Sequence, residues 1–316
     1  LVVDTLGEKS GTEIFRQIAS YTSPPRLEEK SMFRIKMIDL DSLIKVDDWF
    51  ISYMLQMGFS VEGMSLRATN VVVSQYTVFE EGEPYVTRAV VTLTGSRIVV
   101  AEYLVHQDVY AAERDQQILA MSSFKLVNQD TGIGIPMKTF SFVDIAKFDY
   151  PANWTLASPG ISNIMRMEAS VVNSVQLNYF SGNGGEVDAQ QMAARIDVNV
   201  ITKSPEITLG EEIKKLNEEL KAKDFKLGSF IETVTDVKVN PLIGNARVDV
   251  YNLEGISKRL AGYEFWVAVL QTKSRYYFVR MVTISRAESF QSWAQNTETY
   301  RALVASLGPA ASRFSH

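Results

Sequence analysis

The chain has 316 residues, 46% of them apolar and 22% charged, and its 32 basic and 37 acidic residues give a formal charge of −5. This is the composition of folded protein with room for about two domains, without the basic excess of a nucleic-acid reader. The lack of cysteine excludes disulfides, thiolate metal sites, iron–sulfur clusters and cysteine nucleophiles; with His106 and His316 alone, a Ser-His-Asp triad would have to use His106, and no multi-histidine metal site can be built in one chain.

The chain opens on Leu1, so a processed form or a fragment is expected, with any signal peptide gone. A lipid anchor upstream of Leu1 would not be visible. No stretch approaches 18 consecutive apolar residues, so no transmembrane helix is expected. A short helix is predicted at 11–20 and a strand at 33–38. Residues 42–57 read as a helix with Asp41 as N-cap, a buried stripe of Leu43, Val46, Phe50 and Met54 or Met57, and Gly58 as its stop. Trp49 on that helix, beside Asp48 and Ser52, is expected to be partly exposed and is an interface candidate. Strands follow at 70–78, 86–93 and 97–105, the last two joined by the short turn Thr94-Gly-Ser96, and then a helix at 112–122.

Gln129-Asp-Thr-Gly-Ile-Gly-Ile-Pro136 breaks both helix and strand. Its Gly132 and Gly134 lack the third glycine and the lysine of a phosphate loop, so it reads as a linker. The expected domains are 1–128 and 140–316, with 129–139 between them. Beyond it, strands are predicted at 141–148, 164–169, 174–180, 194–201, 230–239, 246–253, 263–271 and 276–285. Ser181-Gly-Asn-Gly-Gly185 reads as a loop. The helix at 209–223 places Leu209, Ile213, Leu216 and Leu220 on one face, with Thr208 and Glu211 as a capping box. A last helix is predicted at 290–306. Strands joined by such short turns must be antiparallel. The fold class is therefore α+β: two similar domains, each an antiparallel β-sheet flanked by α-helices.

The similarity is internal. Tyr85–Val105 aligns with Tyr263–Thr283 at an offset of 178, with Tyr85/Tyr263, Val91/Val269, Thr94/Thr272, Ser96/Ser274 and Arg97/Arg275 identical. Asn70 and Tyr76 match Asn245 and Tyr251 at an offset of 175, and a helix precedes and follows in each half. The segment 140–193 has no clear partner in the first copy. The opening hairpin of that copy is expected to be missing, altered or supplied by a partner.

Phe148-Asp-Tyr-Pro-Ala-Asn-Trp154 resembles the opening of PsbP/DcrB-like domains, with Pro159-Gly160 as the turn that follows, the Thr208–Glu211 helix, Tyr276-Tyr277-Phe278 in the last strands and Trp293 opening the closing helix. The resemblance covers about 140–308. It implies an antiparallel sheet flanked by helices and membership of larger assemblies. It implies no shared catalytic set, and the family includes photosystem subunits, a nuclear transport factor and bacterial envelope lipoproteins.

No catalytic, cofactor-binding or metal-binding residue is assigned. His106 faces Ile284 in the repeat, so a structural role is expected. Glu80, Glu81 and Glu83, like Asp47 and Asp48, read as solvated carboxylates, and Asn153-Trp-Thr155 is a sequon only by rule. Arg97 and Arg275 recur at a hairpin's entry to a strand; they are candidates for carboxylate recognition at an interface, against a turn role with the stem along the sheet edge. The expected function is that of a non-enzymatic interaction protein of the bacterial cell envelope, periplasmic or outer-membrane-associated. The concrete form is a subunit of a large assembly such as a secretion-system outer-membrane core complex, with protein partners, no nucleic acid and no cofactor. The alternative is a periplasmic small-ligand or lipid-binding protein.

Overall fold

Strand-forming residues set the architecture, and a few well-placed helices cover what the strands leave apolar. The computed structural model describes residues 15–130, 132, 134–163, 165–180, 186–222, 225–255 and 262–310. Residues 11–14, the 181–185 loop and His316 lie outside them. The chain divides into two compact units, Leu1–Ile135 and Pro136–His316.

The first unit contains β1 (Arg16–Thr22), β2 (Met32–Asp39), α1 (Val46–Met57), β3 (Ser60–Ala68), β4 (Val71–Glu80), β5 (Glu83–Thr94), β6 (Arg97–His106) and α2 (Tyr110–Ser123). Its six strands form one antiparallel sheet in the order β1-β2-β6-β5-β4-β3. Side chains alternate between the two faces. On one face Val71, Val73, Val90, Ala101, Tyr103, Phe33 and Ile35 pack against Met121 and Phe124 at the end of α2. On the other, Tyr76 meets Phe50 of α1 and Lys36 bonds to Tyr53 of α1. The sheet is thus held between two helices.

The second unit begins with β7 (Met137–Phe142) and β8 (Ala146–Pro151), then β9 (Thr155–Asn163), β10 (Arg166–Phe180), β11 (Glu186–Thr202), α3 (Leu209–Ala222), β12 (Phe225–Thr233), β13 (Asn245–Gly255), β14 (Tyr263–Gln271), β15 (Arg275–Ile284), α4 (Phe290–Ser306) and β16 (Gly308–Pro309). Its large sheet runs β12-β13-β14-β15-β11-β10-β9, and β16-β8-β7 form a small one. Reversed, the order of the first sheet is β3-β4-β5-β6-β2-β1. The two orders match strand for strand, with β9 in excess. The repeat is therefore one of topology as well as of sequence. Turn geometry repeats too: Ser96 O accepts from Leu40 N at 2.7 Å, and Ser274 O accepts from Lys203 N at 2.9 Å.

Several expectations are corrected. Residues 16–20 of the predicted first helix belong to strand β1, because Arg16–Thr22 pairs along β2 in antiparallel register. The hairpin β1–β2 holds the place of β10–β11 with strands of 7 and 8 residues against 15 and 17, so of the expected alternatives this hairpin is altered rather than missing. Helix α1 starts four residues late, at Val46. Its N-cap is Lys45 in extended conformation with no side-chain cap, and the dipole is met by Asp47 and Asp48 instead. Gly58, at φ 66°, stops it as expected. Met57 is exposed, so the buried stripe ends with Met54. Residues 141–148 are two strands around Val143 (φ 52°) rather than one. Pro159 and Gly160 lie inside β9 instead of making a turn. Residues 166–180 are a single strand with a bulge at Asn173/Ser174. β12 ends at Thr233, short of the predicted 239.

The capping box of α3 is present, with Thr208 N donating to Glu211 Oε2 (3.2 Å) and Glu211 N to Thr208 Oγ1 (3.3 Å). Of the stretch read as a linker, Asp130 O accepts from Gly95 N and Asp130 N donates to Thr94 Oγ1, both at 2.7 Å, so it holds to the first unit. Met137–Thr139 already belong to β7. Each unit has its own sheet, helices and core. Residues 1–135 and 136–316, produced separately, are each expected to unfold in one cooperative thermal transition by circular dichroism; a fragment without a transition would show that its core depends on the other.

Candidate functional site

The buried charges come first, because they are where chemistry would be expected. In the first unit Glu102 is fully buried beneath α1. It lies 2.8 Å from Lys36 Nζ and 3.8 Å from Arg34 Nε, and accepts from Tyr76 Oη at 2.7 Å. Lys36 also donates to Tyr53 Oη at 2.9 Å. Burial alone would push the Glu102 carboxyl up; Lys36 and Arg34 outweigh it and hold the group below the ordinary glutamate range. Burial alone would lower Lys36; Glu102 and Tyr53 outweigh it and hold the ammonium above the ordinary lysine value. Tyr76 is pushed well up by burial and by Glu102. This is a closed ion pair, already neutralised.

The second unit uses the same place with the opposite sign. The offset of 178 sets Arg280 where Glu102 stands. The sheet registers make Asn199 the counterpart of Lys36. Arg280 Nη2 donates to Asn199 Oδ1 at 2.9 Å, and Nη1 pairs with Glu219 of α3 at 3.2 Å. Elsewhere in that unit Glu264 accepts from the indoles of Trp266 (3.2 Å) and Trp293 (2.8 Å) and pairs with Arg286 (3.2 Å). Glu212 pairs with Arg166 and Lys215.

His106 is 3% exposed. Its Nδ1 accepts from Asp108 N at 3.3 Å, which places the proton of the neutral ring on Nε2. Nε2 faces Glu83 at 3.6 Å and Glu29 at 4.0 Å, and the ring lies edge-on to Tyr85. It is a packed histidine at a strand end. No group of three or more His, Asp and Glu among the described residues has the arrangement of a metal site.

The three interface candidates do not converge. Trp49 was expected to be partly exposed; it is 2% exposed, because α1 turns that face inward and the indole stacks on Tyr53 at 5.3 Å. Arg97 is exposed and pairs with its cross-strand neighbour Asp39 at 2.7 Å. Arg275, in the second unit, donates its backbone N–H to Thr272 Oγ1 at 3.1 Å. Both arginines close the same Thr-x-Ser-Arg turn.

The surface that sets the two copies apart is the outer side of α2. The last helix of each unit runs over the same sheet face. Phe124 N closes on Ala120 O and Leu307 N on Leu303 O, which fixes an offset of 183 between them. No residue of α4 is exposed, and part of its cover is the small sheet: Asp149 N of β8 donates to Ser306 Oγ at 2.8 Å, and β16 pairs with β8. In β8 and just beyond it, Tyr150 and Trp154 of the Tyr-Pro-x-x-Trp run are buried. The first unit has no counterpart of β7, β8 or β9 among its described residues. There α2 exposes Leu119 at 70%, Ile118 at 36% and most of its polar residues.

A groove runs along each flank of α2. One, of about 520 Å³, is floored by Val73, Gln75, Arg88 and Val90, with Ile118 and Met121 on its helix side. The other, of about 450 Å³, is lined by Tyr21, Phe33, Tyr103 and Phe124. The first is bounded outward by β3, the last strand of the sheet, all nine of whose residues are exposed. Sequence reasoning missed this face. Its signal was the repeat alignment, which sets Arg88 against Trp266.

No family model and no curated protein matches the chain. Among solved structures it is similar to the Ran-binding protein Mog1p of Saccharomyces cerevisiae, at 9% identity over 56% of this chain and 96% of that one (TM-score 0.35). It is similar to the cyanobacterial PsbP (CyanoP) of Synechocystis sp. PCC 6803, at 12% identity over 58% and 98% (TM-score 0.34). It is also similar to TplEi, an immunity protein of T6SS from Pseudomonas aeruginosa, at 9% identity over 94% and 91% (TM-score 0.23). The family resembled by residues 148–154 is the one named for CyanoP. With every TM-score below 0.5, no function is taken from any of the three.

Removing one member of a buried pair leaves the other uncompensated, at about 3–5 kcal/mol. Lys36→Met and Glu102→Leu are each expected to destabilise the first unit by that amount in urea unfolding, and the double variant by less than their sum. The lowered Glu102 pKa makes its stabilisation complete above the ordinary carboxyl value of 4.5 and lost as the pH falls through the folded value. The raised Lys36 pKa makes its share complete below 10.5 and lost as the pH rises through the folded value. Glu102→Leu is therefore expected to flatten the acid limb of stability against pH; an unchanged limb would show that the carboxylate is not linked to folding.

Proposed function

We propose that this chain is a protein-binding protein without catalysis of its own, that it works in the bacterial cell envelope, and that its first unit holds the partner on the outer side of α2. One observation supports the reading: the same fold occurs twice, and among the described residues no strand covers α2 as β8 helps to cover α4. Leu119 is 70% and Ile118 36% exposed on α2, and Tyr21 on β1 lines the groove on its other flank. Three of the four buried glutamates support the non-catalytic part, because Glu102, Glu212 and Glu264 are each held by cations or indole donors; the fourth, Glu113, accepts from Ser31 Oγ. Among the described residues no helix is long and apolar enough to cross a membrane. Membership of a large envelope-spanning assembly, such as a secretion-system core complex, is the fuller form of the proposal.

The aromatic lining of the second groove favours a second reading, a small apolar ligand or a lipid held between Phe33, Tyr103 and Phe124. Native mass analysis of the protein extracted gently from its source cells separates the two. A particle heavier than the chain with defined co-subunits is expected, and its size distinguishes a large assembly from a one-to-one complex. Leu119→Asp is expected to change stability by less than about 0.5 kcal/mol and to release the partner. A free chain that carries a bound lipid would overturn the protein-binding reading, and so would a complex indifferent to Leu119→Asp together with an Ile118→Asp variant.

A further inference from the structure

Eight arginines among the described residues are paired: Arg34, Arg97, Arg166, Arg195, Arg247, Arg280, Arg286 and Arg301 each lie within 4 Å of a carboxylate. Two that line the groove between β3 and α2 are not. Arg88 rises from the floor on β5, in register with Gln75 and Tyr103. Its Nε is buried without a hydrogen-bond partner, and no ion pair or hydrogen bond to it is found among the described residues. Arg67, at the β3 wall, makes one long bond of 3.5 Å from Nη2 to the carbonyl of Met121. The acidic side chain lining the groove, Glu62, is engaged by Gln75 and by Thr77.

The second unit shows what this place looks like when filled. Trp266 stands in the position of Arg88. It is fully buried, with Tyr300 at 5.7 Å and Trp293 at 6.3 Å, and Tyr300 closes the site by donating to Val279 O at 2.9 Å. At the offset of 183 the counterpart of Tyr300 is Gln117, which turns inward to Val86 O and Tyr103 O. Where one copy packs three aromatic rings, the other leaves a groove of about 520 Å³ with a guanidinium in its floor. Arg88 is half-buried, with its Nε out of reach of water and without a partner; a charge partly withdrawn from water and left unpaired is unfavourable in the free protein. It is relieved by a planar anion that accepts two N–H bonds at once.

We propose that this groove receives an acidic segment of the partner protein, with a carboxylate bonded to Arg88 and Arg67 and apolar neighbours lying on Met64, Val73 and Ile118. The inference rests on the protein-binding reading above and names the chemistry of the partner. The occupant is a polypeptide rather than a free anion because the apolar Met64, Val73 and Ile118 share the lining with the two charges.

The test uses the full chain and three short fluorescent peptides of equal length, alternating leucine with glutamate, glutamine or lysine. By anisotropy at low salt the glutamate peptide is expected to bind at least tenfold more tightly than the glutamine peptide and the lysine peptide not at all. Arg88→Gln is expected to reduce the glutamate peptide to the level of the glutamine peptide and to leave the latter unchanged. Arg88→Lys, which keeps the charge and loses the fork, is expected to fall between, and Arg67→Gln to weaken binding severalfold. Equal binding of the glutamate and glutamine peptides would overturn the proposal, as would indifference to Arg88→Gln. If that happens while Leu119→Asp still releases the natural partner, the acidic segment is wrong and the protein-binding reading stands. If Leu119→Asp releases nothing, the reading itself fails.

Discussion

A sheet that is apolar on both faces has to be covered twice. Each unit answers with a helix on either side of its central strands: α1 and α2 in the first, α3 and α4 in the second. Buried apolar surface contributes about 25 cal/mol per Å², so strands such as β6, almost wholly buried along Arg97–His106, cannot leave a face open to water. The second unit goes a step further, because β7, β8 and β16 form a small sheet beside α4. Among its described residues the first unit stops one layer short. Its exposed helix and the grooves beside it go with that difference.

The same constraint governs the buried charges. Under the first helix of each unit one ionised group is enclosed, Glu102 in one and Arg280 in the other. The sign differs and the solution is the same. Each charge is met from the neighbouring strand (Lys36 or Asn199), and a residue of the covering helix joins the network (Tyr53 or Glu219). An isolated charge at either place would cost several kcal/mol, so the helix residue and the strand residue change together with it. This co-variation inside one chain supports the repeat better than the few identities along Tyr85–Val105 do.

Much of this was legible in the sequence. The hairpins 86–105 and 263–285, the helix at 290–306, the capping box at Thr208 and the stop at Gly58 follow from alternation, periodicity and glycine chemistry. Three elements escaped for local reasons. β1 has a mixed pattern that only its pairing with β2 resolves. β3, Ser-Val-Glu-Gly-Met-Ser-Leu-Arg-Ala, carries a glycine and few strand formers and is held by β4. β9 contains Pro159 and Gly160, which pattern reading assigns to a turn. Trp49 misled because its neighbours Asp48 and Ser52 are polar; the helix faces decide burial, and Ser52 is buried as well. The α2 surface was not legible from α2 alone, since the exposure of Leu119 depends on whether something else in the chain covers it.

The comparison of the copies therefore does what neither copy does alone. A groove on one isolated domain is weak evidence of function, because most surfaces have grooves. Here the second unit supplies a reference built on the same strand order, in which aromatic rings occupy the corresponding floor and no residue of the last helix is exposed. Against it, Arg88 for Trp266 and Gln117 for Tyr300 are changes that open space and place charge in it, at the expense of packing that the fold can achieve. Filling the groove with a tryptophan would be the more stable choice for a unit that only had to fold. A half-buried guanidinium kept without a partner is explained if the partner arrives on another chain.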